Sequence, residues 1–324
     1  MIVCDLVIDG NYILSKLTFT LHKNNILYGS LYTSLEMCIN NYRKLFPFAK
    51  VYLVSDSKEY SWRKSIYKEY KSHRKKDSDI DWNFVINTYD DFKSNLSKIK
   101  IKVLEYPQVE GDDWISFIVK KSNEKGRSTF IISNDYDIKQ IVGYSIDPLY
   151  INIMSNEMMN KQKIFLPKNY QIFLNKLSNT ENDDIFNLND DNDFLFLLNS
   201  FLEKYDIHEV DPIESLIVKI ISGDQSDNIT SAWSVTKNGK KRGIGNTGAL
   251  SIIKDYKNEF GEFDLSDPDI FDNIADLICE KKNLSKTSID DIKSNIKFNM
   301  SLINLSISYF PDTILNIMKN EYDK

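Results

Sequence analysis

Five acidic blocks punctuate this chain: Asp9-Gly10-Asn11, Ser55-Asp56, Glu110-Gly111-Asp112-Asp113, Ser133-Asn134-Asp135-Tyr136-Asp137 and Gly223-Asp224-Gln225-Ser226-Asp227-Asn228. Taken singly, an Asp after an apolar run is more often a turn former or a helix N-cap. Together, nine carboxylates at one cleft would repel, raise one another's pKa values and oppose folding unless cations neutralised them. Carboxylate oxygens without His or Cys partners suit hard ions, magnesium or manganese. Two such ions roughly 4 Å apart clamp a phosphate ester, activate a bound water and neutralise the leaving oxygen, so no side-chain nucleophile is needed.

Positioning these acids requires strands that end together. Runs at 2–8 (IVCDLVI), 51–54 (VYLV), 101–104 (IKVL) and 129–132 (TFII) are short and rich in Val and Ile, the pattern of buried strands. Segments 30–45, 61–76 and 112–122 carry apolar residues at helical spacing between them, which predicts a parallel α/β sheet. Such sheets bind ligands beyond the carboxyl ends of their strands. Asp9 follows the first run, Asp56 the second, and Asp135 with Asp137 the fourth, so separate strands deliver acids to one edge.

Residues 58–76 hold eight Lys or Arg against two Glu, although the net charge of the chain is −6. A basic patch beside an acidic site is what a metal-dependent phosphodiesterase requires, so the overall charge does not exclude nucleic acid. Arg63, Tyr67, Tyr70, Lys71 and Arg74 are spaced to share one side of a helix, where a cation could hold phosphate and a Tyr could stack on a base. The competing account is a solvated face with Tyr anchors. Residues 175–195, rich in Asn and Asp, predict a surface insertion; the glycine and closing Glu of an EF-hand are missing. From about 206 the pattern is helical, broken by a Gly- and Lys-rich stretch at 237–248, which divides the chain into a core, 1–205, and a C-terminal region, 206–324, packed as one unit. Cys4, Cys38 and Cys279 have neither disulfide nor zinc spacing. No run reaches a membrane span and the start lacks a signal peptide, so a cytoplasmic protein is expected.

In order, IDGN at 8–11, Asp56 followed by WR and YK up to 71, EGDD at 110–113, SNDYD at 133–137, GDQSDN at 223–228 and GIG at 243–245 resemble the flap endonuclease and 5′-to-3′ exonuclease family, over about residues 5–255. Within it the chain is most similar to stand-alone phage enzymes of ribonuclease H type. The resemblance implies a PIN-like α/β fold: a central, mostly parallel sheet with helices on both faces, a helical gateway at about 58–98, and a helical C-terminal region with a helix-hairpin-helix-like DNA-binding motif. It implies one metal ion on Asp9, Asp56, Glu110 and Asp112, a second on Asp135, Asp137, Asp224 and Asp227, and Asp113 as an additional acid. It makes Lys71 and Arg74 catalytic candidates and Arg63, Tyr67 and Tyr70 substrate contacts.

Gly243 and Gly245 would grip duplex backbone and bind potassium, yet fourteen residues (229–242) separate this motif from Asn228, and Asn246-Thr247-Gly248 stands where Pro-Lys-Thr is common. Lys237, Lys240, Lys241 and Arg242 are placed to compensate. The implied activity is two-metal hydrolysis near 5′ ends or flaps of DNA and of RNA primers on DNA, by a monomer acting in replication beside other replication proteins. The alternatives are a PIN-type ribonuclease, usually shorter and without GDQSDN and hairpin, and a non-catalytic nucleic-acid-binding scaffold, which would have lost carboxylates.

Overall fold

The computed structural model describes residues 4–24, 26, 28–45, 49–74, 77–141, 148–151, 211–237, 240–284 and 288–324. The polar interval 175–195 and the boundary near 205 lie outside them. Strands β1 (Cys4–Asp9), β2 (Ala49–Val54), β3 (Ile101–Leu104), β4 (Ser128–Ile132) and β5 (Pro148–Ile151) form one sheet in the order β3-β2-β1-β4-β5. Every neighbouring pair in it is parallel. The first four coincide with the apolar runs; β5 has no counterpart among them.

Alternation along the strands divides the core. Leu6, Ile8, Val51, Leu53, Phe130 and Ile132 face α1 (Gly10–Lys23), α2 (Leu31–Leu45) and α4 (Trp82–Leu96). Val7, Tyr52, Val54 and Ile131 pack on the other side with α5 (Gly111–Glu124) and, from the far end of the chain, α10 (Asp312–Asp323). Burial on both faces is why these strands read as near-continuous apolar runs. Helix α1 begins immediately after β1 because the Asp9 carboxylate accepts the Tyr12 amide at 3.0 Å as its N-cap. Gly10 is required there: a Cβ would lie 2.0 Å from the Tyr89 hydroxyl and 2.7 Å from the Val54 carbonyl.

The C-terminal region has its own core, formed by α6 (Pro212–Ser222), α7 (Asn246–Phe260), α8 (Ile270–Lys282) and α9 (Ile289–Ile303). An antiparallel hairpin, β6 (Ser234–Lys237) and β7 (Lys240–Gly243), occupies the Gly- and Lys-rich stretch. Helix α10 then returns to the sheet, where Tyr322 stacks on Tyr52 with their hydroxyls 3.1 Å apart.

The helix expected over 61–76 is corrected. Among its described residues only α3 (Arg63–Ile66) is helical, and turns follow it, with Lys71 at φ 54. Tertiary bonds explain the break. The Lys71 amide donates to the Asp227 carbonyl at 3.0 Å, and the Asn228 side chain donates to the Glu69 carbonyl at 3.0 Å, so this segment is shaped by the GDQSDN loop rather than by helical bonds.

Candidate active site

Acids from three strand ends and one helix start meet at the carboxyl edge of the sheet. Asp9 closes β1 and accepts a bond from the Ser133 hydroxyl at 2.7 Å. Asp56, just past β2, accepts the Gly111 amide at 2.7 Å and donates its own amide to Asn11 at 3.3 Å. Asp112 stands in the first turn of α5, and Asp135 follows β4. Burial pushes the Asp9 carboxyl up to about 6, and the charges of Asp56 and Asp135 add to the rise. Burial, then Asp135 and Asp9, holds Asp112 well above the carboxylate range. Asp56 opens onto the cleft yet is also raised, by desolvation and by Glu110, against the opposing charge of Lys71. A protonated or repelling set of this kind is what a cleft built for cations shows without them.

Beyond Asp135 the balance changes. Asp137 is pushed up to about 7 by burial, although the Lys219 ammonium pairs with it and Asp135 raises it further. The same ammonium lies 2.8 Å from Asp224, which burial would raise but which Lys219 and Ser226 hold below its ordinary value. Sequence reasoning missed Lys219; its signal was a lone Lys four residues before Gly223 on an apolar helix, aimed at the acids. Gly223, at φ 73, has Ile229, Thr230 and Ser231 backbone within 2.6 Å of where a Cβ would stand, which accounts for the glycine of GDQSDN.

The basic segment is drawn inward more than expected. Arg63 is 2% exposed and donates to Glu110 at 2.7 Å, to both Asp113 oxygens at 3.1 and 2.8 Å, and to the Leu302 carbonyl at 2.8 Å. Asp113 is fully buried and also accepts from Trp62 at 2.9 Å and from the Glu110 amide at 3.1 Å, closing a capping box on α5. The assignment of Arg63 to substrate and Asp113 to metal is therefore corrected: each satisfies the other in the interior. Tyr70, 3% exposed, bridges Glu110 at 3.2 Å and Asp227 at 2.9 Å, and Tyr67 reaches the Asn228 carbonyl and packs edge-on against Phe298. Neither Tyr presents a ring to a base, for the same reason.

Lys71 and Arg74 are at the site. The Lys71 ammonium pairs with Glu110 and lies 3.9 Å from Asp227; burial would lower its pKa, but these acids and Asp56 hold it raised and charged. Glu110, raised by burial, is brought down to about 2 by Lys71 and Arg63. Arg74 bonds Asp227 at 2.5 Å and the Ser226 carbonyl at 3.0 Å with half its side chain exposed. Asp227 thus shares Tyr70 and Lys71 with Glu110, whereas Asp137 and Asp224 share Lys219. This differs from the expected grouping of Asp227 with those two.

On the other flank, the hairpin is docked through Ser231, whose hydroxyl accepts the Ile244 amide at 3.1 Å and donates to the Trp233 carbonyl at 2.5 Å. Lys240, Lys241 and Arg242 occupy β7, with Arg242 exposed; Gly243 ends it and Gly245 precedes α7. A cavity of about 720 Å³ separates this edge from Asp224 and the turn at Tyr136.

Among the described residues, no three acidic, His or Cys side chains converge closely enough to enclose one ion in direct contact. The donor chemistry still fits a hard cation. Asp9, Asp56, Asp112 and Asp135 are oxygen donors, and the first three are held above their ordinary pKa by desolvation and mutual charge. Magnesium keeps several waters and takes one or two carboxylates plus substrate phosphate rather than a closed protein cage.

Known proteins resemble this chain in sequence and fold. Residues 5–172 match the family model described as 5′-3′ exonuclease, N-terminal resolvase-like domain. A 5′-3′ exonuclease of Buchnera aphidicola subsp. Schizaphis graminum is 26% identical over 308 residues, 91% of this chain and 88% of that one. That of Mycoplasmopsis pulmonis is 24% identical over 254 residues, 78% and 67% of the two chains. Phage T5 5′-exonuclease with bound zinc superposes with a TM-score of 0.57 at 16% identity, covering 98% of each chain. The phage T5 flap endonuclease in a pseudo-enzyme–product complex with DNA and metal ions gives a TM-score of 0.56 at 16% identity, over 98% of this chain and 97% of that one.

Proposed function

Because the chain belongs to the 5′-3′ exonuclease family, we propose that it hydrolyses phosphodiester bonds near the 5′ ends or flaps of DNA, and of RNA primers on DNA, during replication. The observation that carries this is the convergence of Asp9, Asp56, Asp112 and Asp135 from separate elements. Burial and mutual repulsion raise Asp9 and Asp112, and among the described residues no Lys or Arg forms an ion pair with either. Two magnesium or manganese ions, when bound there and toward Asp137 and Asp224, would supply the activated water and neutralise the leaving oxygen.

The chain's own residues do the rest. Glu110 and Asp227 aim the Lys71 and Arg74 cations at the cleft, where they favour the charge that builds on phosphate in the transition state. The Arg63–Asp113 pair beneath them holds α5 and the gateway together, so that Asp112 and Lys71 keep their spacing. Gly243, Gly245 and the cations Lys240, Lys241 and Arg242 hold the duplex at a distance from the acids, with potassium as a ligand of the Gly-rich edge. In this layout residues 1–205 form the nuclease core, 206–324 add the GDQSDN acids and the duplex grip, and the protein works as a cytoplasmic monomer.

The test is hydrolysis, titrated with magnesium, of a 5′-flap duplex, a blunt duplex, an RNA–DNA hybrid and single-stranded RNA. Magnesium-dependent cutting of the first three supports the proposal. Cutting of single-stranded RNA alone would support a PIN-type ribonuclease, and binding without cutting would support a scaffold.

A further inference from the structure

The tyrosines expected to meet a base do not face the cleft: Tyr70 is 3% exposed, and Tyr67 is half-buried with its ring edge-on to Phe298. Tyr136 does. It lies between Asp135 and Asp137, at the start of the 3-10 turn Tyr136–Gln140, and is 65% exposed. Its ring is not loose, because the Lys139 ammonium sits 3.8 Å from the ring centroid. Ring and ammonium line the cavity of about 720 Å³, whose other walls are Lys219 and Asp224 on one side and the Gly243–Asn246 edge on the other. That volume lies within the roughly 300–1,000 Å³ of small-ligand sites.

Packing does not explain an exposed ring here. A core role would bury it, and capping of the turn is already performed by the Asp135 carboxylate, which accepts the Asp137 amide at 2.8 Å. Instead the site offers one aromatic surface, one cation beside it and an opposite edge in which Gly243 and Gly245 expose backbone, which suit a base, its phosphate and its sugar. We infer that Tyr136 is a stacking platform for a nucleobase of the reacting strand, on the side of the scissile phosphate that faces the hairpin, with Lys139 bracing the ring and meeting the adjoining phosphate. This rests on the proposed hydrolase function and adds to it a residue that positions substrate without touching the acids' chemistry.

The test uses a 5′-flap duplex with 2-aminopurine at the first nucleotide on either side of the cleavage position, bound in calcium. Wild type and Tyr136→Phe should quench the hairpin-side label on binding. Tyr136→Ala should lose that quenching and bind about tenfold more weakly, the loss of one base stack. Its thermal midpoint should match wild type, since the ring is exposed, which separates lost stacking from misfolding. Wild-type quenching and affinity in Tyr136→Ala would overturn the inference, as would quenching only on the flap side. The same oligonucleotide in magnesium tests the premise separately: wild-type cleavage with an unaltered Tyr136→Ala complex sinks the stacking alone, whereas a wild-type chain that cuts nothing sinks both.

Discussion

Replacing Arg63 by Met should unfold this protein before it affects binding to nucleic acid. The guanidinium is buried to 2% exposure and neutralises two carboxylates, Glu110 and Asp113, themselves 7% and 0% exposed. Methionine fills most of the volume but leaves Asp113 without its cation and Glu110 with Lys71 alone, and breaking one partner out of a buried pair costs about 3–5 kcal/mol. At roughly 2–4 °C per kcal/mol for a chain of this size, the midpoint should fall by about 6–20 °C. The pH dependence gives a sharper test. Burial raises the Glu110 pKa, but Lys71 and Arg63 outweigh it and bring the group to about 2. Its contribution is therefore present above the unfolded value near 4.5 and is lost as pH falls toward 2. A protonated Glu110 no longer needs Arg63, so the deficit of the Met variant should be largest at pH 7 and shrink below about pH 4.5. Adding Asp113→Asn to Arg63→Met should recover part of the loss, since one uncompensated charge is removed. Thermal and urea melts of wild type, Arg63→Met, Asp113→Asn and the double variant at pH 7 and pH 4 measure all of this. A deficit under about 1 kcal/mol at pH 7, together with weakened DNA binding, would return Arg63 to the substrate surface and refute the argument.

In EDTA, stability should decline between about pH 4 and pH 7, because the raised carboxyls of Asp9 and Asp137 bind more protons folded than unfolded; magnesium should raise the melting temperature more at pH 8 than at pH 5. Asp112→Asn should lose several orders of magnitude in single-turnover rate while melting higher than wild type without metal, since it removes a repelling charge, and a lower midpoint would contradict that. Lys71→Ala should lower the single-turnover rate about 10²- to 10³-fold with little change in Kd; a pure affinity defect would make Lys71 an ordinary backbone contact. Neutralising Lys240, Lys241 and Arg242 together should flatten the salt dependence of duplex binding by roughly one unit of slope for each phosphate no longer neutralised, and an unchanged slope would leave β7 solvated.

Strand ends were legible because a parallel strand buried on both faces must stop being apolar where the acids begin: β1 ends at Asp9, and Asp56 and Asp135 lie just past β2 and β4. The start of α5 was legible at Glu110, a cap as well as a site residue, but α1, which Asp9 caps, was not among the expected helices. The gateway was not. Spacing places Arg63, Tyr67 and Tyr70 on one helical face, but local periodicity is silent about acids 40 to 157 residues away that claim the same side chains. The hairpin had a local signal that the basic residues obscured: Asn238-Gly239 between two short runs is the sequence of a tight turn. Strand β5, last in the described sheet, opens on Pro148, a residue that argues against a strand in sequence.

The pairing of Tyr52 with Tyr322 joins residues 270 apart in the chain. Closing so long a loop costs roughly 5 kcal/mol of chain entropy by (3/2)RT ln n, before any packing of α10 offsets it. Until that helix arrives, the face of β1, β2 and β4 carrying Val7, Tyr52, Val54 and Ile131 lacks part of its cover. Folding should therefore pass through a species with the sheet formed but one side adhesive, and its rate should be set late, by docking of the final helix rather than by strand pairing. A chain cut before Asp312 would remain at that stage, compact and prone to associate through the exposed face, with every residue of the acidic cleft still present in its sequence.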